Sequence, residues 1–428
     1  MMDRLKSSIR KRRESAQSRL SGKKSQAQQT ATMAGAPASS SSTAAGGGTG
    51  TTQANSDAIQ VVLKNTKAQG TLYAHITGRD NSGLFILGAD GQSPYRPGSP
   101  SKELQPLAQD TGIVVGGPGQ SRTVTVPRIF GARLWFSRET PLEFFLNPGP
   151  ALVEPSATNT SDANYGKDWG FCEFTYNESQ IYVNVSYVDF VSLPIALQLE
   201  NRAGAIRRVD GMPADGLARV ADGLEAQGRR DGQGWEKLII REGGHVLRVL
   251  SPNSAGVLFP DLFRDYYKDH VDAIWDKYRS EDLTVNTQFT WGDVRGRVGA
   301  DGKLTFSDNP GLGFDKPTAR DIFSCSTGPF AAGEGVTDER LNIGARLAAA
   351  LNRSTLLENS RQPESEDAAT YYEDAVTNHY ARVCHETTTE SRGYAFPYDD
   401  VGSSQGGDQS GFLNDGDPKV LTVEVGGT

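Results

Sequence analysis

From Ile59 onwards the chain consists of short β-type runs, each bounded by Gly, Pro, Asn or Asp. The first of these runs are residues 61–63, 72–77, 84–87, 122–126, 133–137 and 142–146. Short strands separated by turn residues at such spacing are typical of sandwiches and barrels. The pattern therefore predicts a β-barrel or a β-sandwich over residues 58–205.

Helical signals enter after about residue 205 and alternate with strands up to residue 390. The clearest helix is predicted at residues 261–279, where apolar side chains recur at helical spacing. The residues of this stripe are Phe263, Tyr267, Val271, Ile274 and Tyr278. Further helices are predicted at 214–227, 338–351 and 367–384. We therefore predict a mainly β protein with an α/β portion at 206–390, and C-terminal strands at 391–428 that return to the β domain.

The first 57 residues differ in composition from the rest. Residues 1–24 contain nine Lys or Arg and two acids, Asp3 and Glu14, a net charge of +7. Because the whole chain carries −8, the remaining 404 residues carry −15. Residues 25–57 are mostly Ser, Thr, Ala, Gly and Gln, which predicts a disordered tail, first basic and then of low complexity. A nuclear, nucleic-acid or targeting element is the alternative.

Composition also excludes several classes of protein. An acidic main domain is unsuited to binding polyanions, so a neutral polysaccharide is a better partner than nucleic acid. No run of 18 or more apolar residues occurs, so no membrane span is expected. Cys172, Cys325 and Cys384 allow at most one internal disulfide. His379, Cys384 and His385 lack the spacing of a zinc finger or ribbon, so no metal site is expected.

The most informative block is a predicted hairpin. It consists of a strand at Trp169–Tyr176, a polar turn at 177–180 and a second strand at 181–190. Glu173 shares a face with the residues two positions before and after it, because side chains alternate across a strand. Asp189 ends an apolar row, where a carboxylate is costly to bury unpaired. Two interpretations stay open: Asp189 is functional, or it reaches solvent or pairs with an arginine.

A regular hairpin would keep these two carboxylates apart. Glu173 would lie opposite Asn184, and Asp189 five residues further on, roughly 16 Å away at about 3.3 Å per residue. Cooperation between them therefore predicts an irregular ladder, with a bend, a bulge or a splayed strand.

This block and its flanks resemble glycoside hydrolase family 64, the laminaripentaose-producing endo-β-1,3-glucanases, in its fungal branch and within the thaumatin-like superfamily. The resembling segments are residues 131–136, 144–150, 152–156, 169–176, 185–191, 248–253, 352–357 and 394–401. They follow in order over roughly residues 59–427. The resemblance implies a thaumatin-like β-barrel or sandwich plus an α/β domain, which together form a crescent with a wide groove.

The resemblance also implies a mechanism with two carboxylates and inversion of configuration. The family's general acid lies in a Glu-Phe/Tyr-Thr segment, which falls on Glu173 in this chain. Its general base lies in a Val-Asp-Phe segment sixteen residues later, which falls on Asp189. An inverting pair leaves room for a water molecule, with the carboxyls about 6.5–9.5 Å apart. No metal or organic cofactor is implied.

Glucan-contacting positions follow from the same resemblance. Four matching residues are Thr175, Asn177, Tyr182 and Ser186. Tyr182 stands where bacterial members tend to have Trp, and Ser186 stands at the position of a Thr. Asp399 and Asp400 match an acidic pair, for which two alternatives stay open: it lines the groove, or it forms a structural turn.

The implied activity is endo-type hydrolysis of β-1,3-glucan, such as laminarin or cell-wall glucan, to short oligosaccharides. One alternative is a non-catalytic thaumatin-like β-glucan-binding protein on the same scaffold. Another is an intracellular protein whose basic tail binds a partner. The resemblance to family 64 implies an extracellular location, but no apolar segment typical of a secretory signal follows the basic start, so the location stays open. The oligomeric state also stays open.

Overall fold

The computed structural model describes residues 56–404, 406 and 408–427. The predicted tail at 1–57 therefore lies outside the described residues, except for its last two. Strands of the first half are β1 (Ala58–Asn65), β2 (Leu72–Asp80), β3 (Gly83–Leu87), β4 (Pro94–Tyr95), β5 (Gln105–Pro106), β6 (Ile113–Gly116), β7 (Ser121–Pro127), β8 (Ile129–Arg138), β9 (Phe145–Asn147), β10 (Ala151–Val153), β11 (Trp169–Tyr176), β12 (Ile181–Val185), β13 (Phe190–Val191), β14 (Ile195–Asn201) and β15 (Ile206–Val209).

Helices enter in the second half, between shorter strands. The strands are β16 (Ile239–Glu242), β17 (His245–Leu250), β18 (Leu283–Asn286), β19 (Asp293–Val298), β20 (Leu304–Phe306), β21 (Gly313–Phe314), β22 (Arg361–Gln362), β23 (Phe412–Asp415) and β24 (Pro418–Val425). The α-helices are α1 (Gly216–Asp231), α2 (Pro252–Ala255), α3 (Lys268–Lys277), α4 (Ala319–Ser324), α5 (Asp338–Arg353) and α6 (His379–Thr387). Short 3-10 helices lie at Trp235–Leu238, Pro310–Leu312, Gly328–Phe330, Ala368–Thr370 and Thr389–Ser391.

Two large sheets dominate the molecule. One has the strand order β15-β14-β24-β1-β7, and the other has the order β23-β12-β11-β8-β2-β3-β4, with β6 also paired to β2. None of the sheets formed by the described residues closes on itself, so the barrel alternative is wrong. The physical reason is that the outermost strands of each sheet, β15 and β7 or β23 and β4, do not pair with each other.

Smaller sheets complete the architecture. Their strand orders are β10-β9-β5, β13-β17-β16 and β21-β20-β19-β18-β22. Apart from β13, the strands of the last two sheets belong to the half of the chain that also carries the α-helices, so the molecule is mainly β with an α/β portion. Strand β24 lies between β1, to which it is parallel, and β14, to which it is antiparallel. The domain boundaries at 57/58, 205/206 and 390/391 stay a prediction.

One buried apolar core includes residues of both large sheets and of the α/β portion, and it leaves one part of β11 uncovered. On β1 buried and less buried residues alternate, because one face of this strand packs on the core. Strand β11 is buried along almost its whole length, since neighbouring elements cover both of its faces. Only Glu173 and Thr175 of β11 stay partly exposed. The fold thus presents these two polar side chains at the edge of an apolar core.

The helix predictions succeeded where packing did not override the local pattern. The prediction at 338–351 is confirmed by α5, and the one at 214–227 corresponds to α1, displaced by a few residues. The prediction at 261–279 is wrong before Lys268, because Phe263 adopts a positive φ of 63° that ends any regular helix there. The apolar stripe is nevertheless buried throughout. The prediction at 367–384 is wrong before His379, and Tyr372 in this stretch also has a positive φ.

Two further sequence expectations concern cysteines and membranes. Cys172, Cys325 and Cys384 are all buried and unpaired. Within the described part of the chain, no helix combines the length and the apolar character that crossing a bilayer requires.

Candidate active site

The predicted hairpin forms, but its second strand is shorter than predicted. Strands β11 and β12 pair antiparallel, and Glu173 lies opposite Asn184 as expected for a regular hairpin. The ladder ends at the pair Cys172 and Val185, so the prediction of a strand over 181–190 is wrong beyond Val185. Asp189 therefore lies in a bend outside the ladder, which is the kind of irregularity that cooperation with Glu173 requires.

A distant segment of the chain redirects the backbone after Val185. The Tyr394 N–H donates to the carbonyl oxygen of Val185 at 3.1 Å, and the Tyr187 N–H donates to the carbonyl oxygen of Tyr394 at 2.6 Å. The glycine at 393 permits this approach, because a Cβ there would lie 2.4 Å from Cε2 of Tyr187. Residues 393–394 thus lie alongside residues 185–187 and pair with them just beyond the end of β12.

Aromatic packing returns the chain towards Glu173. Phe190 packs on Trp169 with ring centroids 4.9 Å apart and on Phe171 at 5.8 Å. The carbonyl oxygen of the preceding residue, Asp189, accepts a hydrogen bond from the Ser251 N–H at 2.9 Å. Because Phe171 is two residues before Glu173 on the same strand, this packing brings Asp189 to the same end of the hairpin.

Arg133 organises the carboxylates around Glu173. It lies directly opposite Glu173 on β8, and its Nε donates to Oε1 of Glu173 at 3.1 Å. Its other end donates to Oε2 of Glu154 at 2.7 Å. The guanidinium also lies over the Phe171 ring, 4.8 Å from the centroid. The Glu173 side chain remains 40% exposed, so a ligand can reach its carboxyl group.

Burial and the neighbouring charges together raise the pKa of Glu173. Burial is the largest cause; Arg133 opposes it, and the negative charges of Asp189 and Glu154 add to it. Burial on its own would lower the pKa of Arg133, but Glu154, Glu173 and Asp189 outweigh it and raise that pKa. Asp189 therefore lies within electrostatic reach of both groups. Glu173 holds its proton more strongly than an ordinary glutamate does.

A row of directly paired residues, most of them polar, extends from Glu173 across the sheet. Cross-strand pairing places Arg133, Glu173, Asn184 and Phe412 in one row over β8, β11, β12 and β23. Thr175 lies in the next row, and its Oγ1 accepts a hydrogen bond from the Gly131 N–H at 3.3 Å. Directly paired residues present their side chains on the same face of a sheet, so these four side chains lie on one face, with Asn184 buried.

Tyr182 is fixed beside this row. It pairs with Thr175, and its ring stacks on Phe412 with centroids 5.2 Å apart and planes 20° apart. Its hydroxyl lies 2.8 Å from the hydroxyl of Tyr394. Burial raises the pKa of Tyr182, so the phenol stays protonated and retains its hydrogen-bonding proton.

The two other hairpin positions have local structural contacts. Oδ1 of Asn177 accepts hydrogen bonds from the N–H groups of Ser179 at 2.8 Å and Gln180 at 2.9 Å, which shapes the turn before β12. Ser186 lies just beyond the end of β12 and bridges to Tyr394. The structure therefore places these two residues at opposite ends of β12.

Asp399 is a buried ion-pair residue. Its side chain is fully buried and contacts Nε2 of His385 at 2.8 Å, the Ala395 N–H at 2.8 Å and a guanidinium nitrogen of Arg353 at 3.3 Å. Burial raises its pKa, but His385 and Arg353 outweigh burial and the pKa is lowered. For Asp399 the geometry favours the structural turn, one of the two alternatives left open by the sequence.

Asp400, its neighbour, behaves differently. It is partly exposed, and burial, followed by the negative charge of Asp408, raises its pKa to about 7. Burial is the largest cause of the raised pKa values of Tyr182 and Tyr394, and the charge of Asp400 adds to it, so Asp400 lies within electrostatic reach of both phenols. Asp400 is thus partly exposed, whereas the Asp399 carboxylate is fully buried.

Sequence reasoning did not assign a role to Arg133, Glu154 or Tyr394. For Arg133 a signal existed, because opposite charges directly across two strands stabilise a sheet and Glu173 lacked a partner. For the other two no local signal existed, since their contacts depend on the tertiary fold. Within the described residues, no three His, Cys, Asp or Glu side chains converge in a way that could hold a metal ion.

Comparison with known proteins identifies the family of the chain. The family model for glycoside hydrolase family 64, described as beta-1,3-glucanase, matches residues 57–425. The chain belongs to glycoside hydrolase family 64. It is 28% identical over 378 residues to a glucan endo-1,3-beta-glucosidase of Cellulosimicrobium cellulans and 27% identical over 378 residues to one of Arthrobacter sp. (strain YCWD3). These alignments cover 86% of this chain and 65% of each relative, so the chain spans less than two thirds of their length.

A solved structure supports the same family. A laminaripentaose-producing beta-1,3-glucanase, crystallised in complex with laminaritetraose, superimposes with a TM-score of 0.76 at 30% identity. The match covers 86% of this chain and 99% of that one. The named relatives are bacterial, and the expected fungal branch of family 64 stays a prediction.

Proposed function

We propose that this family 64 protein is an endo-β-1,3-glucanase that cleaves β-1,3-glucan with inversion, using Glu173 as general acid and Asp189 as general base. One observation carries the proposal: a partly exposed carboxyl with a raised pKa lies within electrostatic reach of a second carboxylate. The family and the names of its members support the substrate class. The laminaritetraose bound by the similar crystal structure supports it further.

In the proposed reaction Glu173 carries a proton and Asp189 is ionised. Glu173 donates its proton to the glycosidic oxygen as the bond from that oxygen to the anomeric carbon breaks. Asp189 accepts a proton from a water molecule as the water oxygen bonds to the same carbon from the opposite side. The exit of the chain from the ladder after Val185 supports this pairing of roles, because a regular ladder would hold the two carboxyls too far apart to act on one bond.

The surface around the hairpin supports binding of a sugar chain. We assign glucan contacts to Thr175, Asn177, Tyr182, Ser186 and Asp400. Asp399 instead holds the turn that carries Asp400. The proposal includes the thaumatin-like scaffold, with a crescent shape and a wide groove that accepts a long glucan. Neutral hydroxyl-rich ligands suit this face, since its groups are hydrogen-bonding side chains and aromatic rings.

One observation favours a non-catalytic glucan-binding protein as the second candidate. The Nε of Arg133 lies 3.1 Å from Oε1 of Glu173. An arginine at that distance favours the ionised carboxylate, which cannot protonate a leaving group. The enzyme is nevertheless the stronger candidate, because the raised pKa of Glu173 is the net result with Arg133 included.

Release of reducing sugar from laminarin tests the proposal. Glu173→Gln and Asp189→Asn should each lower turnover by about 10²–10⁴-fold, the usual contribution of a general acid or base. Glu178→Gln is the matched control, because Glu178 lies on the same hairpin but is 75% exposed in the turn. Unfolding midpoints of the three variants should stay near that of the unchanged chain.

Two outcomes would contradict the proposal. Near-normal turnover by Glu173→Gln or Asp189→Asn would exclude the assigned roles. Binding of laminarin without release of reducing sugar by the unchanged chain would select the glucan-binding alternative. The anomeric configuration of freshly released sugar, measured by proton NMR, tests inversion separately, since inversion gives the α-anomer from a β-linkage.

A further inference from the structure

An exposed aromatic pair lies on the loop between β18 and β19. The Phe289 side chain has 62% of its surface exposed, and Trp291 is partly exposed. The two ring centroids are 5.0 Å apart, with planes tilted by 43°. Adjacent aromatic rings exposed to water mark binding surfaces more often than isolated apolar residues do. No role in the proposed reaction has been given to this pair.

The loop is held in a defined conformation. The Thr287 N–H donates to the carbonyl oxygen of Gly292 at 2.9 Å, and the Gly292 N–H donates to the carbonyl oxygen of Phe289 at 3.0 Å. Gln288 has a positive φ of 50°, which a residue other than glycine adopts only when its surroundings enforce it. The rings are therefore presented to solvent by a preformed loop, which lowers the entropy cost of binding.

The same loop is joined to the segment that borders the candidate active site. Arg346 donates to Oε1 of Gln288 at 3.1 Å, and Nε2 of Gln288 donates to the carbonyl oxygen of Gly402 at 2.8 Å. Gly402 is two residues beyond Asp400. The beginning of this segment, at Tyr394, contacts the Tyr182 hydroxyl at 2.8 Å. Residues 394–402 thus connect the aromatic pair to the row of polar residues on β11 and β12.

We propose that Phe289 and Trp291 form an aromatic platform that stacks on a sugar ring of the β-1,3-glucan, remote from the bond that is cleaved. The proposal rests on the proposed function, because it concerns the same polymer. Sugar rings present apolar C–H faces and polar edges. They therefore suit two rings bordered by the polar side chains of Gln288 and Thr290. The proposal places a long glucan across both the platform and Tyr182, and a short oligosaccharide bound at the hairpin is not expected to reach the platform.

The test compares long and short substrates with the full chain. Phe289→Ala should raise the KM for laminarin roughly threefold to tenfold, since an aromatic contact contributes that much, and leave kcat unchanged. The shortest laminari-oligosaccharide that the unchanged chain cleaves should be hydrolysed with an unaltered kcat/KM. Phe289→Tyr, which keeps the ring, should restore the KM for laminarin. Phe259→Ala is the matched control, because Phe259 is 37% exposed and far from this loop in sequence.

Sedimentation of insoluble β-1,3-glucan with the protein provides a second measurement that does not depend on catalysis. Phe289→Ala should remain in the supernatant at glucan concentrations that sediment the unchanged chain and Phe259→Ala. An unchanged KM together with unchanged sedimentation would overturn the platform. A smaller oligomer of Phe289→Ala by size-exclusion chromatography would also overturn it, because the pair would then contact a second copy.

The experiment separates the two proposals. If the unchanged chain cleaves laminarin but Phe289→Ala behaves identically, only the platform fails. If the unchanged chain does not cleave laminarin, the enzyme proposal fails. The sedimentation of Phe289→Ala then decides the platform alone.

Discussion

The carboxylate cluster around Glu173 and the cluster around Asp399 use similar residues to opposite effect. Each has an arginine in contact with the central carboxylate, Arg133 in one case and Arg353 in the other. The Glu173 side chain is partly exposed and its pKa is raised. The Asp399 side chain is fully buried and its pKa is lowered.

The difference lies in the number of donors for each negative charge. Asp399 accepts hydrogen bonds from a backbone N–H and an arginine, and its other contact is His385, so its charge is compensated. Around Glu173 one arginine is shared with Glu154, and Asp189 adds a third negative charge. An arginine contact therefore does not determine whether a carboxyl is ionised. The first arrangement suits a structural ion pair, and the second suits a proton donor.

The largest expected effect comes from the same substitution in both clusters. Arg353→Met should lower the free energy of unfolding by about 3–5 kcal/mol, because it leaves the charge of Asp399 buried with less compensation. Arg133→Met should cost about 1 kcal/mol or less, since Glu173 and Glu154 are both partly exposed to water. Urea unfolding followed by circular dichroism measures both values. Equal losses would contradict the distinction between a structural and a functional cluster.

The next largest expected effect is a pH-dependent change in stability on substitution of the adjacent residues Asp399 and Asp400. The pKa of Asp400 is raised to about 7, above the unfolded value of 3.8, so the stability from its protonated form is lost as pH rises through 7. Asp400→Asn should therefore raise the free energy of unfolding at pH 8 by about 1–3 kcal/mol, an estimate reduced for its partial exposure. The gain should disappear at about pH 4.

Asp399→Asn is the paired control for this prediction. The lowered pKa of Asp399 contributes stability above the unfolded value of 3.8, and this is lost as pH falls through the folded value. Asp399→Asn should therefore destabilise the protein at pH 8, opposite in sign to Asp400→Asn. Unfolding curves recorded at pH 4, 6 and 8 measure both. Destabilisation by both variants at pH 8 would mean that the Asp400 carboxyl is ionised and paired.

Local pattern was sufficient to predict much of the fold. Alternation and turn residues predicted the hairpin register that places Glu173 opposite Asn184, and the helix predicted at 338–351 forms as α5. Local pattern failed at Phe263, whose positive φ accompanies close packing on Trp235 with ring centroids 4.3 Å apart. Helical spacing in the sequence carries no information about such tertiary packing.

The site was harder to predict because its parts come from distant segments. The position of Asp189 depends on Tyr394, which redirects the backbone, and on Ser251, which binds the Asp189 carbonyl. Neither is near Asp189 in the sequence. The different environments of Asp399 and Asp400 depend on Arg353 and His385 in the same way. Resemblance to family 64 supplied these residues as candidates, but only the tertiary structure separates the buried one from the exposed one.

The smallest expected effect tests whether Glu154 controls Glu173. The negative charge of Glu154 raises the pKa of Glu173 and occupies one end of the Arg133 guanidinium. Glu154→Gln should therefore lower the pKa of Glu173. The general acid must be protonated, so its pKa sets the basic limb of kcat/KM against pH, and this limb should move to lower pH. Laminarin hydrolysis over a pH series measures it.

Glu143→Gln is the matched control, because Glu143 is an exposed glutamate that forms an ion pair with Lys167 and not with Arg133. Its pH profile should match that of the unchanged chain. A movement of the basic limb towards higher pH in Glu154→Gln would mean that the titrating acid gains a proton more easily without Glu154. That result is incompatible with like-charge repulsion between Glu154 and Glu173, and the proton donor would then have to be another group.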